Sequence, residues 1–241
     1  MVLKVLGSSS KGNGYILDNG SEALILECGV NLKEAKKALG FDVKKVAGCC
    51  VTHQHNDHAG YLDKYASIFY TLALPEVFQA KAFSGSRAVP VEIGRQYRMG
   101  GFLVMPFKAE HDVPCVGWLI NHPSMGLLMF ATDTCMLDYT IPGLNHVLLE
   151  CNYSVEDLRV AIEEHRTDES QVKRLANSHL ELSSTKSFLS RNDLSKVAEV
   201  VLIHLSGNNA DAERFVSEIQ ALTGKPTYAA YPGLELELIK L

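Results

Sequence analysis

The sequence predicts an α/β chain in which two sheets pack face to face between outer helices, a four-layer αββα sandwich. Two observations support this fold class. Short apolar segments of strand length are followed by segments with helical spacing, and this succession occurs twice along the chain. The 241 residues, 46% of them hydrophobic, can also bury one large core. We therefore expect a single domain over residues 1–241, without a linker or a short repeat.

The first third of the chain combines strands, turns and a helix. Residues 2–6 are apolar, and the Gly/Ser-rich segment 7–14 has the composition of a loop. Strands are expected at 15–17, 23–26 and 46–52, with a helix at 32–39 that Gly40 ends. A further helix is expected from Ala59 onward.

The remainder alternates in the same way. Strands are expected at residues 102–107, 116–121, 127–131 and 147–150, with a turn at 123–126. The last third predicts helices at 155–165, 183–190 and 211–222, interleaved with strands at 200–204, 227–230 and 234–239. This order places helices outside the sheets.

Composition narrows the class of protein. The formal net charge of −5 argues against a globally basic surface for nucleic acid, although a local basic patch stays open. The six cysteines form no C-x-x-C pair, which favours reduced thiols in a cytoplasmic protein. The N-terminus does not resemble a signal peptide. No apolar run approaches the roughly 20 residues of a membrane span, so we expect no membrane partner.

Four potential metal ligands lie within six residues, directly after an apolar strand. They are His53, His55, Asp57 and His58. Side chains two residues apart in an extended loop point the same way, so His53 and His55 can bind one ion. Asp57 and His58, at a helix start, can reach a second ion about 3.5–4 Å away. A polar surface loop with chance histidines is the alternative, and it rarely concentrates so many ligand types.

One loop cannot complete two coordination spheres. His111, Asp133 and His204 each follow a predicted strand, where ligand-bearing side chains converge. Asp133 carries a carboxylate able to bridge two ions. Each residue alone fits a helix cap or a polar loop, but together with the first cluster they predict a binuclear centre.

The segment Thr52-His53-Gln54-His55-Asn56-Asp57-His58-Ala59-Gly60 resembles the H-x-H-x-D-H signature of the metallo-β-lactamase superfamily. Leu26-Glu27-Cys28-Gly29 is similar to the family's L-D-x-G strand end, with Glu27 where aspartate is usual. The resemblance implies two divalent ions, Zn or Mn. It assigns His53, His55 and His111 to one ion, Asp57, His58 and His204 to the other, and Asp133 to both.

Further segments resemble the YycJ/WalJ-type group, which is related to ribonuclease Z. They are residues 6–13, 150–153, 178–180 and 203–206. The group's extra active-site histidine corresponds to His179, which would donate a proton or a hydrogen bond to the phosphate or the leaving oxygen. A histidine near a helix cap, without chemistry, is the alternative. Residues 206–209 are expected to open a helix whose N–H groups can meet an anion.

The resemblance implies a phosphodiesterase that acts on nucleic acid, exonuclease-like, through a metal-bridging hydroxide with Asp57 and His179 as catalytic residues. The chain lacks a basic insertion like the tRNA-binding arm of ribonuclease Z, which argues against tRNA maturation. A small cyclic-nucleotide phosphodiesterase, a lactone or carboxylic ester hydrolase, and a metal-binding protein without turnover are the alternatives. A homodimer is left open because many family members are dimers.

Overall fold

Two seven-stranded sheets form the centre of the computed structural model, which describes residues 1–168, 170 and 172–240. The strands of the first sheet are β1 (Val2–Ser9), β2 (Gly12–Asp18), β3 (Ala23–Leu26), β4 (Val46–Cys50), β5 (Thr71–Ala73), β6 (Ala88–Pro90) and β14 (Glu235–Glu237). Their spatial order is β14-β1-β2-β3-β4-β5-β6. Strands β3 to β6 run parallel, so their carboxyl ends share one edge of the sheet.

The second sheet has the order β13-β12-β11-β10-β9-β8-β7. Its strands are β7 (Tyr97–Met99), β8 (Phe102–Ala109), β9 (Cys115–His122), β10 (Gly126–Ala131), β11 (Leu144–Glu150), β12 (Glu199–Ile203) and β13 (Thr227–Ala229). Strands β10 to β13 are parallel and the remaining pairs are antiparallel. Residues that follow β10, β11 and β12 therefore meet at one edge.

Helices cover the outer faces of both sheets. They are α1 (Leu32–Ala38), α2 (Asn56–Ala59), α3 (Leu62–Ala66), α4 (Pro75–Ala80), α5 (Val155–Glu163), α6 (Val172–Ser178), α7 (Leu182–Arg191) and α8 (Ala212–Thr223), with a 3₁₀ turn at Val43–Lys45. Phe188 of α7 and Phe215 of α8 pack on the outer face of the second sheet. Tyr65 of α3 and Val77 of α4 belong to the core of the first sheet. Among the described residues, no helix is long and apolar enough to cross a membrane.

The main core lies between the sheets. Tyr15 of the first sheet meets Phe130 of the second edge to face, with ring centroids 5.3 Å apart. Both side chains are fully buried, as is Trp118 beside them in the same core. Truncating such an aromatic side chain to alanine costs about 3–5 kcal/mol. The order of layers confirms the αββα sandwich expected from the sequence.

Most expected strands and helices are present with shifted ends, but three interpretations were wrong. Segment 7–14 is not a loop, because Ser8 pairs with Asn13 in the β1–β2 hairpin. The segment expected as a helix from Ala59 onward is helical only from Leu62, where α3 begins, because α2 ends at Ala59 and the Tyr61 N–H donates to the Cys28 carbonyl. Residues 206–209 form a turn, and α8 begins only at Ala212, where Asp211 caps it.

Candidate metal centre

Loops from both sheets meet at one edge of the sandwich. The loop after β4 leads into α2, and the loops after β8, β10 and β12 come from the second sheet. These segments bring together all seven predicted ligands, namely His53, His55, Asp57, His58, His111, Asp133 and His204. The convergence follows from the parallel strands, whose carboxyl ends lie side by side.

His53, His55 and His111 form the first group. Their ligand atoms lie within 4.8 Å of one another, and His55 Nδ1 is 3.3 Å from His111 Nε2. His111 Nδ1 donates to the Ser178 carbonyl at 2.9 Å, which leaves Nε2 as a free lone pair. Burial, followed by the charge of His58, holds the pKa of His53 well below its usual range. Burial also lowers the pKa of His111, so His53 and His111 are suited to bind a cation as neutral imidazoles.

Asp57, His58 and His204 form the second group. Asp57 Oδ2 lies 3.2 Å from His58 Nε2 and 3.4 Å from His204 Nε2. The Asn13 side-chain nitrogen approaches His58 Nε2 at 3.0 Å and Asp57 Oδ2 at 3.3 Å. Asn13 is fully buried in β2, so the hairpin of the first sheet supports this group.

Asp133 lies between the two groups. Its Oδ2 is 2.9 Å from His58 Nε2 and 3.5 Å from His204 Nδ1, and it also forms a group with His53. Thr132 Oγ1 donates to the same oxygen at 2.8 Å. Asp133 has a φ of 50°, a left-handed conformation that aims its carboxylate inward at the end of β10. Its carboxylate therefore lies within reach of histidines from both groups.

The carboxylates of the cluster favour a positive charge on the buried histidines beside them. Burial lowers the pKa of His204, but Asp133, Asp57 and Glu150 outweigh it and raise that pKa to about 10. Burial also lowers the pKa of His58, but the nearby carboxylates, Asp133 above all, outweigh burial and hold that pKa well above its usual range. A bound cation satisfies the same electrostatic demand as a proton.

Two elements of the first sheet hold α2 in place. Glu27, which replaces the usual aspartate, adopts a φ of 70° and brings Oε1 to 3.6 Å from His58 Nδ1. Its other oxygen accepts from the Thr52 N–H at 3.3 Å. Gly29 approaches α2 so closely that a Cβ there would lie 1.6 Å from the Asp57 carbonyl oxygen. Glu27 belongs to no ligand group among the described residues, as expected from the sequence.

His179 follows α6 and faces the second group. Its Nδ1 donates to Glu150 Oε1 at 2.8 Å and lies 3.4 Å from Asp133 Oδ1. His204 Nδ1 donates to the same Glu150 oxygen at 3.0 Å. The side chain of His179 is 18% exposed, so a bound molecule can reach it. The predicted extra histidine therefore lies beside the cluster.

Sequence reasoning assigned no role to Glu150, although it quoted the segment that contains it. Glu150 is fully buried, and its Oε2 accepts from the N–H groups of Thr134 and Leu180 at 3.1 Å each. Burial raises its pKa, but His179 outweighs this effect and the net shift is downward. The signal in the sequence was a carboxylate at the end of the apolar strand β11.

Among the depressions that border the cluster, two share a lining residue. The first has a volume of about 340 Å³, and its lining includes Ser10, Arg174, His179 and His204. The second is lined by Ser10, Lys11, Asp57 and Tyr61, among others. The two meet at Ser10, and the cluster lies between them.

Two N–H groups of the turn at 206–209 are already bonded within the turn, so it does not present the free N–H groups expected of a helix start. The N–H groups of Asn208 and Asn209 both donate to Ser206 Oγ, at 3.4 and 3.2 Å. Ser206 thus acts as the local acceptor for this turn. The anion site expected at a helix start is absent from this described segment.

The residues present fit divalent metal ions. His53 Nε2 and His204 Nε2 are buried and have no hydrogen-bond partner among the described residues. A buried polar atom without a partner is costly, and a metal ion beside these nitrogens removes that cost. Imidazole and carboxylate together are the donor set that Zn, Mn and Fe accept.

Comparisons with known proteins agree with this geometry. The sequence model of the family described as anti-Pycsar protein Apyc1 matches residues 7–83. Exodeoxyribonuclease YycJ of Bacillus anthracis is 25% identical over 173 residues, which cover 65% of this chain. The match spans 64% of the length of that relative.

Solved structures of the same fold cover the whole chain. The metallo-β-lactamase fold protein YhfI from Bacillus subtilis is 16% identical with a TM-score of 0.75, covering 98% of this chain and 99% of its own. Zn²⁺-bound PqqB from Methylobacterium extorquens is 13% identical with a TM-score of 0.75, covering 99% and 100%. The chain therefore has the metallo-β-lactamase fold and resembles the YycJ-type proteins of that superfamily.

Proposed function

We propose that this chain is a binuclear metal-dependent phosphodiesterase that acts on nucleic acid. The observation that carries the proposal is the contact between Glu150 and His179 beside the seven clustered ligands. A partly exposed histidine held by a buried carboxylate is placed to give a proton to a leaving oxygen. A phosphodiesterase needs such a group, because its leaving alkoxide must gain a proton.

Two ions would be held by the ligands in the groups described above. His53, His55 and His111 would hold one ion, Asp57, His58 and His204 would hold the other, and Asp133 would be shared by both groups. Bound there, Zn or Mn supplies a water molecule of lowered pKa and polarises the phosphoryl group. The number and spacing of the side chains suit this division, since each group converges within 4.8 Å.

His179 is the proposed proton donor. Burial lowers its pKa, but Glu150 and Asp133 outweigh burial and raise it, which favours the protonated form. During hydrolysis a water oxygen bonds to phosphorus, the bond from phosphorus to the leaving oxygen breaks, and that oxygen takes the proton of His179. The proton that the water loses passes through Asp57, whose carboxylate is partly exposed, to solvent. Asp57 does not keep this proton, because burial raises its pKa but the hydrogen bonds from His204 and His58 outweigh burial and hold that pKa well below its usual range. Asp57 and His179 are thus the catalytic residues of this proposal.

Nucleic acid is favoured as substrate by the two depressions that meet at Ser10. Together they form a path across the cluster, with Lys11 and Tyr61 on one side and Arg174 on the other. Cationic side chains attract phosphates, and an exposed aromatic ring can stack on a base. The similarity to a protein named as an exodeoxyribonuclease points the same way.

A cyclic-nucleotide phosphodiesterase is the second candidate. The depression beside His179, about 340 Å³, is large enough for one small ligand. A lactone or ester hydrolase is less favoured, because polar side chains such as Thr167, Ser206 and Asn209 dominate this lining. The dependence of binding on salt separates the first two, since only a polymer that neutralises several cations gives a steep slope.

The test is a substrate screen on apo-protein reconstituted with Zn or Mn. Bis(p-nitrophenyl) phosphate, DNA, RNA, a 3′,5′-cyclic nucleotide and a lactone are compared at equal protein concentration. We expect phosphodiester turnover in the reconstituted protein and its loss in Asp133→Ala and His55→Ala. His165→Asn is the matched control, because His165 is exposed and lies outside every ligand group of the described residues. Turnover that persists in metal-stripped Asp133→Ala contradicts the proposal.

A further inference from the structure

The depression beside His179 contains a cation that the proposed chemistry does not use. Arg174 lies on α6 and lines this pocket together with Asn152, Thr167 and Asn209. Among the described residues that line this pocket, Arg174 is the only lysine or arginine. The others have polar, apolar or histidine side chains. Arg174 is exposed and forms no ion pair with a carboxylate of residues 1–168, 170 and 172–240. Among the described residues, no carboxylate therefore competes with a ligand for its guanidinium.

The position of Arg174 relates it to the leaving group. Helix α6 ends at Ser178 and His179 follows directly, with its N–H bonded to the Leu175 carbonyl at 2.9 Å. Arg174 and His179 thus lie on one chain segment and line the same pocket. A leaving group that takes a proton from His179 therefore lies at the edge of the pocket that Arg174 also lines.

We propose that this pocket binds the nucleotide on the leaving-group side, and that Arg174 binds a second phosphate carried by that nucleotide. This inference rests on the proposed phosphodiesterase function and deepens it. A guanidinium can contact two phosphate oxygens at once. A small ester without a second phosphate cannot form this contact. Arg174 is thus a specificity-determining residue, and the preferred substrate ends in a phosphorylated nucleotide.

Three thymidine dinucleotides test the inference. One has a 5′-terminal phosphate, one has a 3′-terminal phosphate and one has neither, and kcat/KM is measured for cleavage of the internal bond. We expect the wild-type protein to prefer one phosphorylated dinucleotide by about 10- to 100-fold, the effect of one or two charge-assisted hydrogen bonds. The two phosphorylated arms identify which end of the chain the pocket accepts.

The variants are Arg174→Gln, Arg174→Lys and Lys173→Gln. Arg174→Gln is expected to remove the preference, with a loss on the phosphorylated dinucleotide at least ten-fold greater than any loss on bis(p-nitrophenyl) phosphate. Arg174→Lys should restore part of it. Lys173 is the matched control, because it is a neighbouring cation on α6 that lies outside the pocket lining. A preference that survives Arg174→Gln, or equal rates on all three dinucleotides, overturns the inference.

A binding measurement separates this inference from the proposed function. Calorimetry compares thymidine, thymidine 5′-monophosphate and thymidine 3′-monophosphate on the metal-loaded protein and on Arg174→Gln. The inference requires that Arg174→Gln lowers the affinity for one of the two monophosphates by about ten-fold or more and leaves the affinity for thymidine unchanged. If no phosphodiester is hydrolysed but this loss is observed, only the proposed function fails. If hydrolysis is observed without this loss, only the role of Arg174 fails.

Discussion

The carboxylate of Glu150 lies 2.8 Å from Nδ1 of His179, and the same oxygen receives a hydrogen bond from His204 at 3.0 Å. One buried oxygen thus orients both a proposed metal ligand and the proposed proton donor. Its partner oxygen is held by two backbone N–H groups, so the carboxylate cannot rotate freely. This arrangement couples the position of the metal centre to that of the acid.

Replacing Glu150 with glutamine is expected to lower phosphodiesterase activity by about 10- to 100-fold, the usual cost of losing a residue that orients metal ligands. The amide keeps the shape of the side chain but cannot accept two imidazole N–H groups on one charged oxygen. The measurement is kcat on bis(p-nitrophenyl) phosphate together with bound metal per chain. Glu163→Gln, an exposed change on α5, is the control. Full activity in Glu150→Gln would refute this role.

Removal of a single ligand is expected to reduce the number of metal ions bound per chain, but not to zero. We expect about two equivalents of Zn or Mn per wild-type chain and about one in His53→Ala, because His53 belongs to the first group of histidines. Elemental analysis after dialysis measures this content. His165→Asn should keep the wild-type content. An unchanged metal content in His53→Ala would show that His53 does not bind an ion.

Substitution of Gly29 by alanine should destabilise the centre without removing a ligand. A Cβ at this position would lie 1.6 Å from the Asp57 carbonyl oxygen and 2.7 Å from the Asn13 nitrogen, so α2 must shift. Overpacking against backbone costs at least about 1–3 kcal/mol. Denaturant unfolding and metal content are the readouts, with Gly207→Ala, which meets open space, as the control. Equal stability of the two variants would contradict the close approach.

Acid stability is expected to depend on Asp18, which is buried and accepts from Lys45 at 2.8 Å and Lys4 at 3.0 Å. Burial raises the pKa of Asp18, but the hydrogen bonds from Lys45, the Gly20 N–H and Lys4 outweigh it, and the net shift is downward. A folded-state pKa below the unfolded value contributes stability above pH about 4, and this is lost as the pH falls further.

Asp18→Asn should therefore reduce the free energy of unfolding by about 1–3 kcal/mol at pH 7, the range for hydrogen bonds to a charged group. The difference from the wild type should shrink toward pH 3, as the wild-type carboxylate becomes protonated. Urea unfolding at several pH values provides the measurement, and Asp63→Asn, an exposed change, is the control. A difference that stays constant with pH would be inconsistent with this ion pair.

The sequence was most informative where chemistry is concentrated in a few neighbouring residues. His53, His55, Asp57 and His58 were recognisable because four potential ligands within six positions rarely occur by chance. Short elements such as β5 and α4 were missed, since three to six residues carry too little periodicity to reveal a strand or a helix. The segment at 7–14 was misassigned because glycine and serine usually indicate a loop, whereas here small residues permit close packing beside Val30.

By itself the sequence predicted the sandwich fold, the seven candidate ligands and the edge of the sheets where they meet, because local pattern and strand order carry that information. Only the tertiary structure decided that Glu150 joins His179 to His204. That contact spans 29 and 54 residues and depends on the register of β11 against β12, which places Glu150 opposite Ile203. Register arises from packing of the whole sheet, and no local pattern in the chain encodes it.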